Sequence, residues 1–200
     1  MKYISHRRNT ILQLQATDKK YGVEVDIRSS KSELTIHHDP LCGGDSFEKW
    51  ISEYRHGTLI LNVKEEGLEG SLLKLMDKYE ITDFFFLDQS FPFLVKTANS
   101  GESRCAVRVS EFEPCESAIS LAGKIDWVWV DFFSKFPLTT LNYQRLKEAN
   151  YKLCLVSPEL QGRDPTVEIA NLIELLAERE IVADAICSKR IDIWEKLLCQ

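Results

Sequence analysis

Short apolar runs separated by longer, helix-patterned stretches set the rhythm of this chain. Runs rich in Val, Ile, Phe and Leu predict strands over residues 2–6, 22–27, 59–64, 83–88, 104–109, 127–132, 151–156 and 183–188. A further run over 33–38 follows the second at hairpin distance. Between them, helices are predicted over 46–55, 68–79, 116–122, 138–149 and 166–179. In the last of these Ile169, Leu172, Ile173, Leu175 and Leu176 recur at helical spacing, and Pro165 stands where a first-turn proline belongs. Asp45 or Ser46 is the expected cap of the 46–55 helix, and Gly123 the expected end of 116–122.

Strand and helix alternating through the chain predict an α/β fold, a compact (β/α)8 TIM barrel with an extra hairpin strand after strand 2. All 200 residues are expected in a single domain, at the short end for such a barrel. A doubly wound open sheet is the alternative, but no glycine-rich phosphate loop follows the first strand.

Composition narrows the class. Apolar residues make up 44% of the chain, enough for a proper core. A net charge of −6 argues against nucleic acid as the main partner, because binding a polyphosphate needs a basic surface. No apolar run reaches membrane-spanning length, and the first strand begins too early for a leader, so a cytoplasmic location is expected. Of the six cysteines none form a C-x-x-C pair; Cys105, Cys154 and Cys187 sit in apolar runs and read as buried free thiols, while Cys199, next to last, is expected to be exposed.

The candidate chemistry lies in polar groups closing the first strands: His6-Arg7, Glu24-Val25-Asp26, His38-Asp39 and Asn62-Val63-Lys64. Residues two apart in a strand share a face, so Glu24 and Asp26 project together, as do Asn62 and Lys64. A solvated strand face is the plain alternative. A hard dication, Mg²⁺ or Ca²⁺, takes oxygen ligands, and Glu24, Asp26 and the Asn62 side-chain oxygen offer three. Two imidazoles either side of a phosphodiester can serve as acid and base, and Arg7 offers a planar fork for phosphate oxygens.

In that order these motifs resemble the glycerophosphodiester phosphodiesterases, within the phosphatidylinositol phospholipase C-like superfamily. Ser90-Phe91 and the 183–188 run add weaker echoes. The resemblance implies a (β/α)8 barrel cleaving a phosphodiester. His6 and His38 would be the acid-base pair, and Glu24, Asp26 and Asn62 the ligands of a divalent cation. Arg7 would hold phosphate, and Lys64 would neutralise charge developing on it. It also points to a small soluble glycerol- or sugar-phosphodiester as substrate, of the sort made in bacterial surface-polysaccharide metabolism. Three positions depart from the family: Arg8 stands for a glycine, Asn62 for a metal-binding glutamate, and Val156-Ser157-Pro158-Glu159 for W-T-V-N. Asn62 lowers the ligand charge by one and leaves a non-catalytic phosphosugar- or partner-binding relative as the alternative.

Further residues are expected near the substrate. Arg108, a charge inside an apolar strand, needs a carboxylate or a substrate phosphate beside it. Trp129 would stack on a sugar or glycerol moiety or fill the core. Glu159 would bind substrate hydroxyls or decorate a helix start, and Asp88 and Asp131 end strands close to the chemistry.

Overall fold

The computed structural model describes residues 1–31 and 33–198, so Cys199 lies outside the described residues. The chain divides into two compact units, one of residues 4–105 and one of residues 1–3 with 106–200.

Strand β1 (Lys2–Ser5) enters the first unit at Ile4 and Ser5, which pair in parallel with Gly22 and Val23 of β2 (Gly22–Ser30). Between them lies the short helix α1 (Ile11–Gln15), closed at its start by reciprocal hydrogen bonds between Thr10 and Gln13. A side chain at Gly22 would meet the Thr58 carbonyl oxygen at 2.4 Å, so only glycine lets this strand start lie against its neighbour. β2 then turns back into β3 (Glu33–Ile36), antiparallel to it, which gives the expected hairpin. The two-residue β4 (Asp45–Ser46) adds to β3. Gly44 permits this: its missing Cβ would fall 2.2 Å from the Ile36 carbonyl oxygen.

Ser46 caps α2 (Phe47–Ser52) by accepting from the Lys49 amide. β5 (Leu59–Val63) pairs with β2 in parallel, setting Asn62 beside Asp26. Helix α3 (Glu69–Lys78) leads to β6 (Phe84–Leu87), which pairs with β5, and α4 (Phe91–Asn99) follows with Pro92 in its first turn. On β2, Val23, Val25 and Ile27 are buried, and so are Glu24 and Asp26 between them, as in parallel sheets covered on both faces. The solvated-face reading of the carboxylates is thereby overturned.

In the second unit β7 (Ala106–Val109), β8 (Trp127–Val130), β9 (Lys152–Val156) and β10 (Ala185–Ser188) pair in parallel in that order. The Lys2 amide donates to the Asp184 carbonyl just before β10. The connections carry α5 (Cys115–Ile119), α6 (Thr140–Glu148), a 3-10 turn (Pro158–Gln161) and α7 (Pro165–Glu178). Helix α8 (Ile191–Leu198) ends the described chain. Cys105, Cys115, Cys154 and Cys187 are buried free thiols, and Cys42 is an exposed one.

Several boundaries differ from the pattern. α5 stops at Ile119, and Gly123, at φ +76°, closes a later turn rather than capping the helix. The helices α1, α4 and α8 were not legible from periodicity. α1 has too few turns to show a period, while the Phe, Val and Thr of α4 read equally well as a strand. His6, His38, Lys64 and Asp88 fall just beyond the ends of their strands, although the Lys64 amide still donates to the Ile27 carbonyl of β2.

Candidate active site

The first unit brings most of the singled-out residues together. Leaving β1, the chain takes a left-handed step at Arg7 (φ +53°). That step aims the Arg7 amide at Glu24 Oε2, 2.6 Å away, and the Arg8 amide at the Glu24 carbonyl oxygen, 2.8 Å away. Arg8 is itself fixed: its Nε donates to Ser5 Oγ, and its carbonyl accepts from Trp50 Nε1. His6 Nε2 then lies 3.7 Å from Glu24 Oε2, with the histidine side chain 14% exposed.

Asp26 is held from three sides. Asn9 Nδ2 donates to Oδ2 at 2.8 Å, while Asn9 Oδ1 accepts the Asp26 amide. Arg7 Nε lies 3.2 Å from Oδ2, and Lys64 Nζ lies 3.3 Å from Oδ1. Lys64 also donates to Oδ2 of Asp88 at 3.0 Å, and Asp88, at φ +60°, is again left-handed. Asn62 Nδ2 donates to Glu24 Oε1 at 2.8 Å. Burial and the Asp26 charge push the Glu24 carboxyl up to about 7, against the donors Asn62 and Arg7 N–H and the Lys64 charge, which pull it down.

His38 follows β3 with its side chain 43% exposed, and its Nδ1 lies 2.8 Å from Asp39 Oδ1. That hydrogen bond holds the Asp39 carboxyl below its ordinary range. Arg28 ties the second histidine to the lysine: its Nε and NH2 donate to the His38 carbonyl, and its NH1 to the Lys64 carbonyl. An open cleft of about 690 Å³ lies here, lined by Arg7, Asn9, Ile36, His37, His38 and Asp39 among others. His37, by contrast, folds onto Asp39 main-chain atoms.

Asn9, Arg28 and the Asp39 partnership escaped the sequence reading. Arg28 had a signal, for it stands two residues beyond Asp26 and so continues the face begun by Glu24. Asn9, with Thr10, is what remains here of the E-N-T that follows H-R in the family the motifs resemble, but its contact joins residues 17 apart and its partner was not legible.

The remaining candidates belong to the second unit. Arg108 Nε lies 4.0 Å from Glu113 Oε2, the carboxylate partner its strand position called for. Trp129 is 5% exposed. Glu159 accepts from Ser157 Oγ, from Ser188 Oγ at 2.6 Å and from the Lys189 amide at 2.8 Å. Asp131 accepts from the Phe132 amide and from Gln161.

Glu24, Asp26 and Asn62 stand together, as a shared cation site requires, but of their side-chain oxygens only the buried Asp26 Oδ1 and Asn62 Oδ1 lack a hydrogen bond. Both Glu24 oxygens accept hydrogen bonds. Asp26 Oδ2 accepts from Asn9, and Oδ1 faces the Lys64 ammonium. Asn62 presents its NH2 to Glu24, leaving its buried Oδ1 without a hydrogen bond. Among the described residues no three His, Cys, Asp or Glu side chains gather as ligands. A hard dication wants about six or more oxygens around it, so this arrangement does not fit one.

No family model matches the chain, and no curated protein does. Solved structures do. A glycerophosphodiester phosphodiesterase from Agrobacterium tumefaciens str. C58 is similar with a TM-score of 0.69 at 14% identity, covering 98% of this chain and 99% of that one. A glycerophosphoryl diester phosphodiesterase from Parabacteroides distasonis ATCC 8503 is similar with a TM-score of 0.58 at 11% identity, covering 99% and 86%. The chain therefore has the TIM-barrel-like fold of the glycerophosphodiester phosphodiesterases.

Proposed function

We propose that this protein is an enzyme that cleaves a phosphodiester in a small soluble glycerol- or sugar-phosphate compound. The observation that carries the reading is the meeting of His6, Arg7 and Lys64 around the buried Glu24–Asp26 pair, with His38 lining the same cleft as Arg7. A hydrophobic core has no need of such a cluster, since burying charge is costly; an anionic substrate does.

The roles follow from the hydrogen bonds. Asp39 accepts the Nδ1 proton of His38, which leaves Nε2 of that ring with a lone pair. His38 is the base that takes the proton of the attacking water. His6, beside the Glu24 carboxyl, is the acid that protonates the departing oxygen as the P–O bond breaks. Arg7 and Lys64 meet the negative charge of the phosphate, and the charge growing on it in the transition state. A substrate hydroxyl in place of water gives the cyclising variant of the same step.

Hydrolysis of bis(p-nitrophenyl) phosphate and of a panel of glycerophosphodiesters and sugar phosphodiesters tests this, in wild type and in His6→Ala. Turnover that disappears in His6→Ala is expected. A folded wild type that turns over nothing, yet binds inorganic phosphate, would instead establish the binding relative.

A further inference from the structure

We infer that the paired carboxylates work without a divalent cation, the Lys64 ammonium and Arg7 guanidinium standing where such an ion would supply positive charge. The inference rests on the phosphodiester reading for its purpose, but its geometry stands alone. Two carboxylates, Glu24 and Asp26, both fully buried, face two cationic side chains at 3.2 Å and 3.3 Å from Asp26. Asp26 thus has two cationic partners before any ion arrives, one of them, Lys64, shared with Asp88. A dication entering that space would meet two like charges already within 3.3 Å of Asp26, and they would repel it.

Asn62 decides the matter. A carboxylate at this position would repel Glu24 and need a cation between them. The amide instead donates to Glu24 Oε1 at 2.8 Å and joins the two side chains directly. Asn9 does the same for Asp26 through both ends of its amide. The donors that close the site are thus neutral amides and main-chain N–H groups, and of the two cations Arg7 also lines the cleft. Lys64 in turn is held from behind by Asp88. What the site retains as acceptors without a hydrogen bond are two buried oxygens, Asn62 Oδ1 and Asp26 Oδ1, the second facing Lys64.

Mn²⁺ binding followed by water-proton relaxation tests the inference with no need for turnover. Wild type is expected to show no saturable site, while Asn62→Glu, which adds a third carboxylate, gains one Mn²⁺ per chain. Circular dichroism checks that the variant folds; Asn62→Asp replaces it if it does not. One saturable Mn²⁺ in wild type, lost in Asp26→Asn, overturns the inference. No Mn²⁺ in wild type or in either folded variant overturns the part given to Asn62. Inorganic phosphate, titrated in EDTA, is expected to bind wild type with unchanged affinity; binding that returns only with Mn²⁺ also overturns it. Failure of the phosphodiester reading would show separately, as absent turnover with these binding results intact.

Discussion

The two units both end their parallel strands in polar residues, but they treat them differently. In the second unit each polar group closes on its own loop or the next one. Ser110 pairs with Glu113, and Asp131 with Phe132 N–H and Gln161. Ser157 and Ser188 meet at Glu159, and Trp194 Nε1 donates to Ser157 Oγ. Glu111 gathers the amides of Phe133, Ser134 and Lys135; against desolvation, its own main-chain N–H, the Ser134 and Phe133 amides and the Ser134 hydroxyl hold its carboxyl down at about 2. These are local, mostly neutral or exposed arrangements that shape loops. In the first unit full charges are buried, and their partners come from different strands: Asp26 from β2 with Lys64 beyond β5 and Asp88 beyond β6. Burying charge in this way is expensive and adds little stability over apolar packing. The contrast separates polar strand ends that serve the fold from those that serve a ligand.

Removing the acid or the base should separate the units most sharply. His6→Ala and His38→Ala are each expected to lower turnover by about 100- to 10,000-fold, with urea midpoints near that of wild type. An unchanged rate in either variant would move the chemistry away from this unit. Next in size, Lys64→Met leaves Asp26 and Asp88 without their shared cation. Stability should fall by about 3 kcal/mol, read from urea unfolding, and phosphate affinity should fall with it.

The Glu24 carboxyl gives a pH signature that the second unit lacks. Its folded value of about 7 lies above the ordinary 4.5, so the native state holds a proton that the unfolded chain has released. Stability from this group is therefore fully present at low pH and declines as pH rises from about 4.5 through about 7. Glu24→Gln should flatten the curve over that window, in urea midpoints taken at half-unit steps. A variant curve parallel to wild type would show that another group sets the slope. The smallest effect belongs to Glu159→Gln, expected to cost about 1 kcal/mol by weakening its bonds to Ser188 and Lys189. Turnover should hold. A lost rate at unaltered stability would instead place Glu159 against the substrate, as its position in sequence first suggested.

Much of this was legible without coordinates. Strand runs such as 59–64 and 151–156 carry their own signal, because a strand covered on both faces is a block of apolar residues bounded by polar ones. The motif order marked Glu24, Asp26, His6 and Lys64, and period-two spacing put the carboxylates on one face. Helices α1, α4 and α8 were hidden, since a short helix owes its existence to capping and packing more than to periodicity. Asn9 was hidden for another reason: its partner is 17 residues away, and nothing local marks an amide that will clamp a carboxylate.

Residue type and spacing thus determined which side chains carry charge, which strands carry them and which face they share. Sequence also placed an amide at position 62 but not its role. Whether an amide at that place ligates an ion or donates to Glu24 depends on which of its two ends meets the carboxylate. Only the tertiary structure decides that, because it sets β2 beside β5 in the register that joins Asp26 to Asn62 and brings Lys64 within 3.3 Å of Asp26. Electrostatic energy varies with distance and burial, and neither is written in the order of residues.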